Sequence, residues 1–311
     1  MLQVLDAGAV RAWCTAGRLV LQGAREELDR LNVFPVADAD TGTNLLHTWT
    51  AADEAVGRAG ADPAAVGRAL AEGALLGARG NSGMLLSQLL RAVADALTVL
   101  PPEEPGLSAG EFARALQTGA DLARSAVARP VEGTLLTVAA AAAAGARQAA
   151  QRTVQPEPAL AAVVTAAREQ AERTLERTPD RLPVLRDAGV VDAGGFGWVL
   201  LLRVLEGVVG REGVVRAAPT ILDTGSPGDD RAPAGPRGHH APDEYEVQYL
   251  LRDVADDARA ALREQLARFG TSVAVVGGAD LAAVHVHVPV AAIGPAVEAG
   301  LAAGPVERIH V

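Results

Sequence analysis

The hydrophobic pattern changes period once along this chain, and that change restricts the fold more than any single motif. Up to about residue 218, apolar residues recur at three- and four-residue spacing, as at Leu85, Leu86, Leu89 and Leu90, which is the period of amphipathic helices. From residue 244 onward EYEVQYLL, SVAVV, AAVHVHV and VERIHV read as strands, and two helical stretches separate them. Between the two regions, PTILDTGSPGDDRAPAGPRGHHAPD (219–243) keeps no apolar period and reads as a linker, with His239 and His240 as solvated residues within it. The expected class is α+β. Residues 1–218 form an all-helical domain, 219–243 a linker, and 244–311 a small β-α-β-β-α-β domain of ferredoxin-like order.

The 311 residues suit about two domains. Hydrophobic residues make up 49% and aromatics only 3%, so Ala, Leu and Val must do the packing, with Trp13, Trp49 and Trp198 as anchors and Cys14 in the core. A net charge of −10 argues against nucleic acid and anionic membrane as partners. A single cysteine excludes an internal disulfide and fits a reducing compartment. The N-terminus has no basic leader followed by an apolar stretch, and the run around 135–145 is too short to span a bilayer; the expectation is a cytoplasmic protein with no membrane span. All 28 basic residues are arginine, so a P-loop lysine and a Schiff-base mechanism are excluded. Arginine does not give up its proton, so phosphate chemistry here needs metal ions, Arg and backbone N–H groups.

Helix breaks are legible. PPEEPGLS (101–108) ends in a capping box, Ser108 with Glu111, and further breaks fall near 129–134, 178–183 and 192–195. Four junctions carry chemistry-bearing residues. In NVFPVADADTGTN (32–44), Asp38 and Asp40 stand two apart on a turn of small polar residues. Like charges this close raise each other's pKa, and a hard cation with oxygen ligands resolves the conflict. An EF-hand is excluded because Trp49 falls at its twelfth position. A plain Asp- and Asn-rich turn is the rival reading. GARGNSG (77–83) precedes an amphipathic run. Its glycines permit close backbone approach, its helix start suits a phosphate, and Arg79 adds charge; an ordinary helix–helix turn is the rival. RPVEGTLLTV (129–138) places Thr134 as a cap or phosphate donor, and VVDAGGFG (190–197) places Asp192 beside paired glycines.

These four stretches, in this order and spacing, resemble the ATP-binding kinase domain shared by the L subunit of dihydroxyacetone kinases and by bacterial fatty-acid kinases, the fatty-acid kinase large subunit more closely. The resemblance covers about the first two hundred residues. It extends to FGTSVAVVGGADLAAVHVHV, which is similar to that subunit's middle domain. It implies an antiparallel barrel of helices with ATP and two Mg²⁺ at one end. Asp38 and Asp40 would hold the metal, with Asn32 behind them and Arg79 as a further charge. Thr41, Thr43, Asn44, Gly80, Asn81, Ser82, Gly83 and Thr134 would contact the nucleotide phosphates, and Asp192 and Gly194 would sit near the nucleoside. The acceptor would be a carboxylate, a fatty acid presented by a partner protein of the DegV-like kind. A dihydroxyacetone-type hydroxyl kinase, a nucleotide-binding module without turnover, and a homodimer all stay open.

Two departures matter. The family usually has Gly between the acidic residues, and Ala39 stands here; that is tolerable unless the position needs φ > 0. The family's large subunit continues into a C-terminal domain that engages the fatty-acid carrier, and this chain ends at Val311, so either it is a fragment or its acceptor differs. In the second domain His285 and His287 point to one face of a strand, a spacing that chelates Zn²⁺. The family adds a Cys from the first strand, and Glu246 occupies the matching position. Polar residues on an exposed sheet face are the rival reading. If the three residues converge, Val284, Val286, Val288, Tyr245, Val247 and Tyr249 should point into the core.

Overall fold

A computed structural model describes residues 1–152, 159–210 and 244–311. The expected linker with its two histidines, and residues 211–218, lie outside the described residues.

The helical region runs α1 (Ala7–Arg30), α2 (Thr41–Arg58), α3 (Pro63–Leu76), α4 (Gly80–Thr98), α5 (Ala109–Ala126), α6 (Leu135–Gln151), α7 (Leu160–Leu175), the short α8 (Thr178–Arg181) and α9 (Pro183–Ala188), and α10 (Ala193–Gly210). The break expected at 178–183 is thus two short helices, each opened by a proline in its first turn, where no backbone donor is lost. Ser108 and Glu111 form the expected capping box at the start of α5. Trp13 and Trp49 meet edge to face with centroids 5.1 Å apart, and their indole N–H groups donate to the carbonyls of Leu201 (2.8 Å) and Cys14 (2.6 Å). That pair fixes α1 against α2 and α10. Cys14 is fully buried, and burial pushes its thiol up, so it is inert packing.

Each long helix packs on the next, and α10 returns to contact both α7 and α1. Helix α10 is, among the described residues, the one segment long and apolar enough to cross a membrane, and 78% of it is buried inside the fold. Two two-residue strands, β1 (Leu5–Asp6) and β2 (Gly106–Leu107), pair antiparallel within this otherwise helical region.

The small region contains β3 (Glu244–Arg252), α11 (Asp256–Leu266), β4 (Thr271–Gly277), β5 (Leu281–Pro289), α12 (Ile293–Ala303) and β6 (Val306–His310). The strand order is β4-β5-β3-β6, all antiparallel, as the β-α-β-β-α-β reading requires. Pro295 falls in the first turn of α12, which is why the helix tolerates it. Val247, Tyr249, Val284, Val286 and Val288 are buried with Leu262, Leu266, Ala296 and Ala299 of α11 and α12. Tyr245 is the exception: it lies at the frayed start of β3 and is 44% exposed.

The other face of the sheet is not exposed. Leu250, Ala274, Val276 and Ala283 pack against Ala78, Met84 and Ala126 of the helical region. Gln248 donates to the Ala78 carbonyl at 2.6 Å, and Arg91 donates to the Gly277 carbonyl. The sheet therefore has helices on one side and the helical domain on the other, and the reading of an open sheet face is corrected.

Candidate nucleotide and metal site

Four helix N-termini converge where the two regions meet. Thr41 opens α2, Asn81 and Ser82 lie in the first turn of α4, Thr134 caps α6, and Asp192 and Gly194 stand at the start of α10; all line one cavity of about 410 Å³. Helix starts present unpaired N–H groups and a positive dipole end, so such a convergence attracts phosphate. The volume is within the usual range for a small-molecule site.

The four N-termini are not alike. Thr134 accepts the Leu136 N–H (3.4 Å) and Asp192 accepts the Gly195 N–H (2.7 Å), so α6 and α10 are capped by side chains. At α2 and α4 the cap residues, Asp40 and Arg79, make no side-chain cap bond. Those two open ends border a narrow cleft beside the larger cavity, lined among others by Asn32, Asp38, Asp40, Asn44, Gly80 and Asn81.

The acidic turn is organised from behind. Asn32 is buried; its amide donates to Asp38 Oδ1 at 2.5 Å, and its oxygen accepts from Thr41 Oγ1 at 2.7 Å. Burial, and then the neighbouring Asp38 carboxylate, push Asp40 up to about 7. Ala39 between them has φ 56°, the left-handed conformation that a Cβ disfavours. The position therefore does need φ > 0, and Ala39 holds it under strain. An oxygen-only donor set with two crowded carboxylates, between two uncapped helix starts, fits Mg²⁺. The buried Asn81 Oδ1, which has no hydrogen-bond partner, belongs to a residue lining both the cleft and the cavity and adds a polar group toward a ligand.

The far wall of the same cleft is Glu246, His285 and His287. One ligand atom from each lies within 4.8 Å of the others. Glu246 pairs across the ladder with His287, and Gln248 with His285, so all three share the face turned from α11 and α12. His285 is 1% exposed, and its Nδ1 stands 3.2 Å from Glu246 Oε1 without hydrogen-bond geometry; Nε2 has no hydrogen-bond partner either. Two acceptor-capable atoms held apart in this way fit a cation between them. The His285 ring holds the Glu246 carboxyl below its usual range. Two candidate clusters that the sequence separates by about two hundred residues thus form one site.

Not every expected residue reaches it. Thr43 gives its N–H and its hydroxyl to Asp29, both at 2.9 Å, and does not line the cavity or the cleft. Gly83 is buried where α4 crosses α2; a Cβ there would strike Thr48 Oγ1, so its role is helix packing. Arg79 lines neither space but acts electrostatically on Glu246. Gly80, with φ 55°, lets the Asn44 side chain approach. The sequence reading missed the apolar walls, Phe34, Leu85, Leu136 and Val127, and the sheet-side residues Thr271 to Val273.

A cavity fed by helix N-termini and flanked by two carboxylates defines a nucleotide-binding protein of the phosphoryl-transfer kind. Residues 35–207 match the family model described as DAK2 domain, and residues 243–311 match that of the FakA-like middle domain of fatty acid kinase. The first match spans more than half of the chain, and the chain belongs to the DAK2 domain family. Protein YloV of Bacillus subtilis (strain 168) is 38% identical over 296 residues, which is 92% of this chain and 52% of YloV. An uncharacterized protein of Staphylococcus saprophyticus is 34% identical over 285 residues, 86% of this chain and 49% of its own. The chain spans about half the length of the curated relatives it matches. Among solved structures, the dihydroxyacetone kinase from C. freundii in complex with AMP-PNP and Mg²⁺ has a TM-score of 0.46 and 18% identity, covering 66% of this chain and 35% of its own.

Proposed function

We propose that this chain is the ATP- and Mg²⁺-dependent phosphotransferase part of a cytoplasmic kinase, and that its acceptor is a carboxylate, a fatty acid presented by a partner protein. The observation that carries the reading is the pair of uncapped helix starts, α2 and α4, beside Asp38 and Asp40. Asp38 and Asp40, with Asn32 behind Asp38, would hold Mg²⁺, which when bound bridges phosphate oxygens and offsets the charge developing in transfer. The N–H groups of α2 and α4, with Asn44, Gly80, Asn81 and Ser82, would bind the phosphates. Leu135, Asp192 and Gly194 would bind the nucleoside in the apolar cavity. The succession of helices that returns from α10 to α1 supports the expected helical barrel.

Among the described residues no neutral side chain stands ready in the cleft as general base except the two histidines, and an ionised carboxylate acceptor needs none. The match to a FakA-like middle domain of fatty acid kinase supports the same acceptor. Glu246, His285 and His287 would hold Zn²⁺ with a fourth position open, which polarises an oxygen bound there. Metal analysis tests this part: wild type should retain one Zn²⁺ that His285→Ala loses, and equal retention would remove the zinc site.

Trapping acyl phosphate with hydroxylamine tests the function. The chain, Mg²⁺·ATP and fatty acid loaded on a fatty-acid-binding partner should yield hydroxamate. Phosphorylation of dihydroxyacetone instead would replace the acceptor. Nucleotide binding without either product would make the chain a non-catalytic module.

A further inference from the structure

We propose that the nucleoside end of the cavity is an interdomain site, in which the start of β4, Thr271 to Val273, forms the wall that contacts the ribose and base of a purine nucleotide. The proposal rests on the nucleotide-binding reading above and adds to it a binding element outside the DAK2 match.

Three observations carry it. First, the cavity lined from the helical side by Leu135, Asp192 and Gly194 is lined from the sheet side by Gly270, Thr271, Ser272 and Val273. Without the small domain this end would be an open groove. Second, the ladder between β4 and β5 shifts register between Thr271 and Ala274, and Ser272 within that bulge has φ 52°. Left-handed backbone at a non-glycine residue is strained, and bulges beside sites re-aim side chains. Neither the Thr271 nor the Ser272 hydroxyl has a hydrogen-bond partner among the described residues, so both are available to a ligand. Third, the outer edge of β4 is latched to the helical domain. Val127 bridges Ala274, Ala128 donates its N–H to the Val273 carbonyl at 3.2 Å, and Arg129 donates to the Ala267 carbonyl at 3.2 Å. The same segment runs on through Val131 to Thr134, the cap of α6, so the sheet wall and the opposite helix end are held by one stretch of chain.

The physical consequence is coupling. A ligand that fills a cavity between two domains binds only their docked arrangement, so it stabilises that arrangement by mass action. A base seated there would slow backbone exchange at 270–274 as well as at the helix starts.

Hydrogen exchange on the full chain with and without Mg²⁺·AMP-PNP tests this. The expected result is slower exchange at 270–274 together with the N-termini of α4 and α6. Ser272→Trp, which fills the wall, should weaken Mg²⁺·AMP-PNP binding by about tenfold or more. Ser272→Gly adopts the left-handed backbone freely, so it folds, and it should weaken binding by about threefold through loss of the hydroxyl. Protection at the helix starts with none at 270–274, or wild-type affinity in both variants, would overturn the interdomain wall and leave the nucleotide site standing. No binding by wild type would instead overturn the nucleotide reading itself.

Discussion

The two ends of the cavity use the same building block, the start of a helix, in opposite ways. At α6 and α10 a side chain of the protein, Thr134 or Asp192, fills the cap position, and apolar residues surround it. At α2 and α4 the cap position makes no such bond, and carboxylates stand beside it. A capped helix start is electrostatically quiet and suits a neutral base or sugar. An uncapped one keeps its N–H groups and dipole for an anion. The contrast orients a nucleotide before any ligand is considered: phosphates toward Asp38 and Asp40, nucleoside toward Asp192.

The largest test of this contrast breaks the acidic end. Asp38→Asn and Asp40→Asn should each weaken Mg²⁺·AMP-PNP binding by about a hundredfold, with the far-ultraviolet dichroism of the helices unchanged. The metal-free Asp40→Asn protein should melt above wild type, because the repulsion with Asp38 is gone.

The next test concerns the capped end. Burial raises the Asp192 carboxyl from 3.8 to about 6, against two backbone N–H bonds that lower it. The folded state therefore holds a proton that the unfolded state releases between about pH 4 and 6. Stability of the metal-free protein should fall as pH rises through that window, and the cost is fully present above it. It amounts to about 3 kcal/mol. Asp192→Asn should flatten this part of the profile in denaturation at about pH 4.5 and 7.5, since Asn still accepts the Gly195 N–H. An unchanged slope would mean that Asp192 is not the group responsible.

The smallest effect belongs to Ala39. Glycine relieves the left-handed strain, about 1 kcal/mol, but loses more backbone entropy on folding, so Ala39→Gly should gain about 0.5 kcal/mol in denaturant unfolding. A loss of stability would show that the strain is absent.

Much of this was legible in the sequence, for identifiable reasons. Helix starts announce themselves locally: Thr134, Ser108 and the Gly–Asn–Ser of α4 mark their junctions within a few residues. The period-two strands implied the sheet order, and with it the meeting of Glu246, His285 and His287. What failed depends on distant contacts. Gly83 and Thr43 belong to motifs whose other members face the cavity, but their own directions are set by Thr48 and Asp29 on neighbouring elements. The docking of the sheet on the helical domain had a signal that went unread. Leu250 and Leu251, and Ala282 and Ala283, are adjacent apolar pairs, and both members of each are buried, on opposite faces. The wall at Thr271 to Val273 left no local mark, because its significance comes only from that docking.

The central claim is that the uncapped, carboxylate-flanked end binds a metal–phosphate group. Calorimetric titration of the full chain with AMP-PNP, in Mg²⁺ and then in excess EDTA, tests it most directly. The account predicts saturable binding in Mg²⁺ that weakens by about tenfold or more in EDTA. Equal affinity in both, or no binding in Mg²⁺, would contradict it.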